Sequence, residues 1–316
     1  VNTKRSVPTP FVRSPNRLPV KAWRRILKRT WHRLDTENAT ILAAGVAFYG
    51  MLAVFPALGA VVTAYALVAE PSDVQAHFTQ VARVLPQEVS DVFNQQLGLL
   101  AARGRTGLGL GVAISVLFGL WSARRGADAV VRAVTVAYRE EETRGLIART
   151  ARVFGITAAL ALFVVLALLS LIVIPVLLGA LPLPDLAPLM VVGIGWLTFF
   201  LATSLLVGWL FRVAPPRRPA RWRWVSIGSL ITTILWLAGS VGLSFYAAQF
   251  GSYNETYGAL GAIAVLLLWF QLSAYSLLLG ATLNAEIEFE VRSDTTIGPD
   301  RPVGERDAYV ADNRPE

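Results

Sequence analysis

The sequence predicts an all-α, polytopic membrane protein with six transmembrane helices and amphipathic helices outside the bilayer. Three observations carry that prediction. Of the 316 residues, 54% are hydrophobic and only 16% charged, with a mean hydropathy of +0.53, which is too apolar for an ordinary soluble chain of this length. Uncharged runs long enough to cross a bilayer recur along the chain. The basic residues collect in the segments between alternate runs.

A hydrocarbon core of ~30 Å at ~1.5 Å rise per residue needs about 20 apolar residues in a helix. Six uncharged runs approach or exceed that length, at 41–69, 107–123, 153–181, 186–211, 224–250 and 257–285. The second is the shortest. Buried helices of soluble proteins rarely run so far without a charge. Pro56 and Pro175 fall inside the first and third runs, where neighbouring helices can re-satisfy the backbone groups a proline frees. The segment before the first run lacks a short apolar stretch followed by a cleavage site, so the first span is expected to act as an uncleaved anchor.

Charge sets the expected orientation. Segments 1–40, 124–152, 212–224 and 286–316 hold 26 of the 29 Lys and Arg residues, and the remaining connections hold only Arg83, Arg103 and Arg105. Lys and Arg are retained on the cytoplasmic side, so both termini are expected there. The net charge of +8 therefore belongs to membrane borders, and nucleic acid is not expected as a partner. The chain has no cysteine, which excludes disulfides, thiolate metal sites and thiol nucleophiles.

Three domains follow: a basic arm at 1–40, the six-helix domain at 41–285 and a charged tail at 286–316, whose composition predicts disorder. In the arm, Val20, Trp23, Leu27, Trp31 and Leu34 recur at helical spacing, with Lys21, Arg24, Arg25, Lys28 and Arg29 between them. Such a helix suits an anionic leaflet, with Trp23, Arg24, Arg25, Lys28 and Trp31 as the contacting residues. The same residues also serve simply to fix topology. The loop at 70–106 reads as two amphipathic helices around Pro86, and Gly107 and Gly111 form a GxxxG spacing that permits close helix approach, including between copies of the chain.

Several local patterns together resemble the YihY/BrkB family of bacterial inner-membrane proteins, historically mislabelled as ribonuclease BN. In the first span, GVAFYGML at 45–52 leads to Val54, Phe55 and Pro56, similar to the family's aromatic pair and Phe-Pro. LWSARRG at 120–126, followed by Ala137 and Tyr138, resembles its Trp-Ser-Ala-x-Arg-Gly signature. Tyr246, Phe250, Tyr253, Tyr257 and Gly258 match a spaced tyrosine pattern, and LGATLNAE at 279–286 is close to the family's Gly-Ala-Glu-x-Asn-Ala-Glu ending. Phe48 stands where a second tyrosine is usual and Thr282 where glutamate is frequent. The resemblance implies a six-helix fold over about residues 20–290.

Hydrolysis of RNA needs metal-binding carboxylates or histidines, or an acid–base pair, converging on a phosphodiester. His32 and His77 are the only histidines and are expected on opposite faces of the membrane. Glu140, Glu141 and Glu142 read as a solvated helix end, so no catalytic residue, metal or cofactor is assigned. Polar residues at membrane depth are the better candidates. Arg124, Arg125 and Asp128 follow the second span beside Trp121, where a helix face can hold a phosphate headgroup, form a gate, or simply snorkel. Gln271 and Tyr275 lie one turn apart, with Asn284 and Glu286 beyond them and Tyr49 and Tyr257 as candidate neighbours. They suit either an amphipathic substrate path or interhelical glue. The expected function is a transporter or flippase of a lipid or amphipathic anion. A non-transporting envelope scaffold is the alternative, and a membrane-associated ribonuclease is least favoured.

The absence of native cysteine makes sidedness directly measurable. An impermeant maleimide applied to intact cells is expected to label a Ser72→Cys variant and to spare Ser14→Cys and Thr143→Cys until the membrane is opened. Labelling of positions 14 and 143 from opposite sides would overturn the map.

Overall fold

In the computed structural model of the chain, residues 12, 14–68, 108–179, 187–249 and 259–313 are described. The amphipathic arm forms α1 (Val20–Thr36). Six long helices follow: α2 (Ala39–Val68), α3 (Leu108–Ala137), α4 (Leu146–Gly179), α5 (Ala187–Val213), α6 (Trp222–Gln249) and α7 (Ala259–Phe289). A single-turn α8 (Tyr309–Asp312) closes the described tail. No strand occurs among the described residues, where Ala220 and Thr296 form one isolated bridge.

Four helices contain described stretches long and apolar enough to cross a membrane, at Leu146–Ala167, Val192–Val213, Trp222–Ala247 and Ile263–Phe289. On α2 the corresponding described stretch, Ala39–Ala53, is shorter. Phe245 and Trp196 are 70% and 63% exposed, an arrangement that costs free energy in water and none against lipid tails. The amphipathic loop expected at 70–106, with Gly107, lies outside the described residues, as do Phe250, Tyr253, Tyr257 and Gly258.

The chain groups into two compact units. The first comprises Val1–Leu42, Val131–Ala238 and Ser273–Glu316, and the second Ala43–Val130 and Gly239–Leu272. Within the first, α6 and α7 cross where neither carries a side chain. A Cβ on Gly228 would stand 2.2 Å from the Gly280 carbonyl oxygen, and one on Gly280 would stand 2.0 Å from the Thr232 hydroxyl. Polar side chains fasten the same crossing: Asn284 accepts the Gly228 N–H at 2.8 Å and donates to the Val225 carbonyl at 3.0 Å, while Thr232 donates to the Ser276 carbonyl at 3.1 Å. Farther along, the Trp236 indole donates to Ser273 at 2.9 Å. Ser204 on α5 donates to Thr233 on α6 at 3.1 Å, and Phe163, Phe199 and Trp236 run as an aromatic series across α4, α5 and α6. With lipid as the competing solvent, close packing and such hydrogen bonds take the place of the hydrophobic effect between helices.

In the second unit, α2 approaches α3 and α7 through glycine. A Cβ on Gly126 would meet the Tyr49 carbonyl at 3.6 Å, and Phe270 lies 3.2 Å from the Cβ position of Gly50. The Tyr49-Gly50 and Arg125-Gly126 motifs thus mark a helix contact. The Trp269 indole donates to Ser240 at 3.0 Å.

The tail departs from the expected disorder over 286–316. Residues 286–291 are buried, and the segment to 313 packs back on the α5–α6 connection. Arg221 N–H donates to Thr295 O, Ile297 N–H to Pro219 O and Arg218 N–H to Asp307 O. Arg306 donates to the carbonyls of Arg292, Ser293, Arg301 and Ala311. Burial alone would raise Asp294, but N–H groups of Thr296 and Arg301, the Thr296 hydroxyl and the charge of Arg306 hold it below the usual carboxylate range. Backbone satisfaction by buried polar side chains orders this segment, a source of order that hydrophobic composition does not register.

The glycine crossing is tested by bulk. Gly228→Val is expected to cost about 1–3 kcal/mol through overpacking, read as a lower melting temperature in detergent. Gly242→Ala, whose added carbon meets nothing within 4 Å, should leave it unchanged.

A buried arginine–glutamate network at the end of the last helix

The end of α7 reads Asn284, Ala285, Glu286, Ile287, Glu288, Phe289, Glu290, and all three carboxylates are fully buried. At ~100° per residue, Glu286 and Glu290 share one helix face while Glu288 points away. On α1, Arg25, Arg29 and Arg33 repeat every four residues and also share a face. The two registers match. Arg25 pairs with Glu290, Arg29 bridges Glu286 at 2.6 Å and Glu290 at 2.7 Å, and Arg33 reaches Glu286 at 3.1 Å.

Arg139 adds a fourth cation, 2.9 Å from Glu286 and stacked 4.8 Å over the Phe289 ring. It occupies the left-handed region, with φ of 57°, in the turn that ends α3. There its N–H donates to Val136 O and that of Glu140 to Thr135 O, the pattern usually completed by glycine. The conformation costs an L residue about 1 kcal/mol, and here it aims the guanidinium at Glu286. Arg33 also donates to Glu37 at 2.7 Å and to the Ala137 carbonyl at 3.0 Å, tying α1 to the end of α3.

On the opposite face, Glu288 receives a two-pronged contact from Arg217, at 2.8 and 3.2 Å, and a hydrogen bond from Thr295 at 2.7 Å. Arg217 lies 4.3 Å over the Tyr138 ring. Burial alone would lower its basicity, but the Glu288 carboxylate more than compensates and raises it. Burial also pushes the Tyr138 phenol upward, so it stays neutral. Glu140 is raised by burial, although Arg217 and the Tyr309 N–H oppose the shift.

The charges do not balance on the α1 side. Arg25, Arg29, Arg33 and Arg139 face Glu286, Glu290 and Glu37, which leaves one positive charge in excess. Arg25, Arg29 and Arg139 are 35%, 24% and 28% exposed. The carboxylates are enclosed, whereas these three cations remain reachable.

The other candidates are dispersed. Tyr49 is exposed and T-stacked on Phe48 at 5.6 Å, Trp121 is exposed with Arg125 5.2 Å over its ring, and Arg124, Asp128 and Gln271 are half-buried. These six belong to the second unit, while Tyr275, Asn284 and Glu286 belong to the first. Tyr275 lines a cavity of about 160 Å³ with Trp31, Leu34, Asp35, Asn38, Thr40 and Ile41, and neither Tyr49 nor Gln271 joins it. Asn284 is engaged as interhelical glue. On α1, Arg24, Lys28, Trp31, Val20 and Leu27 are exposed, Trp23 is half-buried, and Leu34 is buried with Ala22 and Ile26. Arg25, expected on the leaflet, is committed to Glu290. Arg29, Arg33, Arg139, Arg217, Glu288 and Glu290 were not singled out from sequence. The signal for the α1–α7 pairs is the matching four-residue repeats at 25, 29, 33 and at 286, 290, and Arg139, Arg217 and Glu288 carry no such signal. Among the described residues no group of three His, Asp or Glu is placed to hold a metal ion.

Apart from Arg25 and Arg29, this network lies within the stretch that a family model describes. Residues 30–304 match the model for the virulence factor BrkB. The chain belongs to the BrkB family. This BrkB-family chain is also 30% identical over 268 residues to the putative ribonuclease-like protein YfkH of Bacillus subtilis, a match covering 82% of the chain and 94% of that protein. A UPF0761 membrane protein of Mannheimia succiniciproducens is 34% identical over 90 residues, and one of Vibrio cholerae 36% identical over 92, each match covering under a third of either chain. No solved structure matches. The BrkB-family chain is an integral, multi-pass membrane protein.

Breaking one side of the buried Arg217–Glu288 pair is expected to cost about 3–5 kcal/mol, because a guanidinium is left without its counter-charge. Glu288→Gln should therefore lower the detergent melting temperature strongly, and Arg217→Met with Glu288→Met should recover part of the loss. Asp300→Asn, at an exposed pair with Arg221, should change it little.

Proposed function

We propose that this membrane protein transports an amphipathic anion, a lipid foremost, between the two sides of the bilayer, with the α1–α7 network as its cytoplasmic gate. The observation that supports this reading is the excess of reachable arginine over enclosed carboxylate at the end of α7. A phosphate or carboxylate headgroup can compete with Glu286 and Glu290 for Arg25, Arg29 and Arg139, since guanidinium binds all these anions in the same two-pronged way. A headgroup that takes Arg25 would loosen the first turns of α1 from α7 while Arg29 and Arg33 still neutralise Glu290 and Glu286. On this reading the exposed Val20, Leu27 and Trp31, with Arg24 and Lys28, rest on the anionic leaflet while the arginines of the other face hold the gate.

A scaffold that organises envelope machinery is the second reading, favoured by the close glycine crossing of α6 and α7 and by the ordered tail. A ribonuclease, suggested by the name of the Bacillus relative, is disfavoured because Glu286, Glu288 and Glu290 are each occupied by arginine.

Proteoliposomes decide between transport and scaffold. Purified protein is expected to accelerate the movement of fluorescent phosphatidylglycerol between leaflets over empty vesicles, and Arg29→Gln with Arg139→Gln should change that rate by about tenfold, the worth of roughly 1.4 kcal/mol. Rates equal to empty vesicles across a panel of anionic lipids and solutes, together with a stable copurifying partner, would replace transport with the scaffold.

A further inference from the structure

On a different part of the first unit, the arginine-rich ends of α4 and α5 flank an open groove of about 450 Å³ lined by Ala148, Ala151, Gly155, Ile156, Trp209 and Val213, with Arg152 at its rim. The walls are apolar, and the groove lies where two helices long and apolar enough to cross a membrane end, at Leu146 and at Val213. Its rim is cationic. Arg152 donates to the Val213 carbonyl at 3.0 Å, and Arg144 donates to the adjacent carbonyls of Ala214, at 3.2 Å, and Pro215. Two guanidiniums are thereby drawn to one helix end. Arg149 lies between them in sequence, and the Glu142 carboxylate stands 3.9 Å from Arg144. The basicity of Arg144 is lowered, first by burial and then by repulsion from Arg152, so an added anion would relieve a like-charge contact.

We infer that this groove is a binding site for an anionic phospholipid, with one acyl chain along Ala151, Gly155 and Trp209 and the headgroup phosphate against Arg144 and Arg152. The occupant is set by the pairing of an apolar trough with a positive rim at the depth of the headgroups. A hydrocarbon chain excludes water from the trough, and the phosphate supplies oxygens that the arginine donors can share with the carbonyls they already hold. A zwitterionic lipid fits the trough equally but brings its own cation to the rim, so selection arises from charge. The site does not depend on transport, because a lipid held there is bound whether or not it crosses.

The test uses the full chain in detergent micelles with phosphatidylglycerol carrying a photoreactive acyl chain. Adducts are expected at residues 148–156 and 209–213, competed by unlabelled phosphatidylglycerol and far less by phosphatidylcholine. Arg144→Gln with Arg152→Gln should weaken that competition by about fivefold for each arginine removed. Ala151→Trp fills the trough from an exposed position and should abolish adducts at both segments while leaving the melting temperature unchanged. Adducts spread evenly along the helices, equal competition by the two lipids, or labelling that survives Ala151→Trp would overturn the site. The assay contains no translocation step, so an inactive transporter that still labels here separates this inference from the proposed activity.

Discussion

Three carboxylates buried at one helix end constrain everything around them. Removing an ionised carboxylate from water costs several kcal/mol unless close counter-charges and hydrogen bonds compensate it. Glu286, Glu288 and Glu290 lie within two turns of one another. No single neighbouring helix can serve all three, because their faces diverge, so the chain brings arginines from α1, from the turn after α3 and from the α5–α6 connection. Elements far apart in sequence are thus held by one electrostatic requirement.

That requirement accounts for local features that are otherwise unfavourable. Arg139 accepts a left-handed backbone, and Arg217 is fully buried over the Tyr138 ring. The tail returns to place Thr295 on Glu288 and the Tyr309 N–H on Glu140. Each arrangement adds a donor to a buried or half-buried acceptor. Networks of this kind specify a unique geometry more than they add net stability, which suits the gate proposed for α1 and α7.

The same arm presents two chemistries on two faces. Its arginine repeat and small residues turn inward, and Val20, Leu27 and Trp31 turn outward. On the proposed reading, a helix built this way couples the state of the membrane surface to the state of the ion network, because a force on one face acts on the other through a rigid rod. The α4–α5 groove sits apart from this coupling. It draws instead on arginines that cap the end of α5.

Four spans were legible in the sequence because hydrocarbon leaves a backbone few alternatives to helix. The runs at 186–211 and 224–250 lie within two residues of α5 and α6, and α1 follows its apolar spacing. The run at 107–123 stops short of α3, which continues to Ala137, since charge ends an apolar run without ending a helix. The arginine partners were not legible. A basic amphipathic pattern is the same whether its cations face lipid phosphate or protein carboxylate, and a polar tail has the same composition whether or not its donors find acceptors. By itself the sequence determined the membrane, the helices and the family, because those rest on local hydropathy and motif. Only the tertiary structure decided which charges meet, because pairing residues 25–33 with 286–290 is a matter of distance in space and burial.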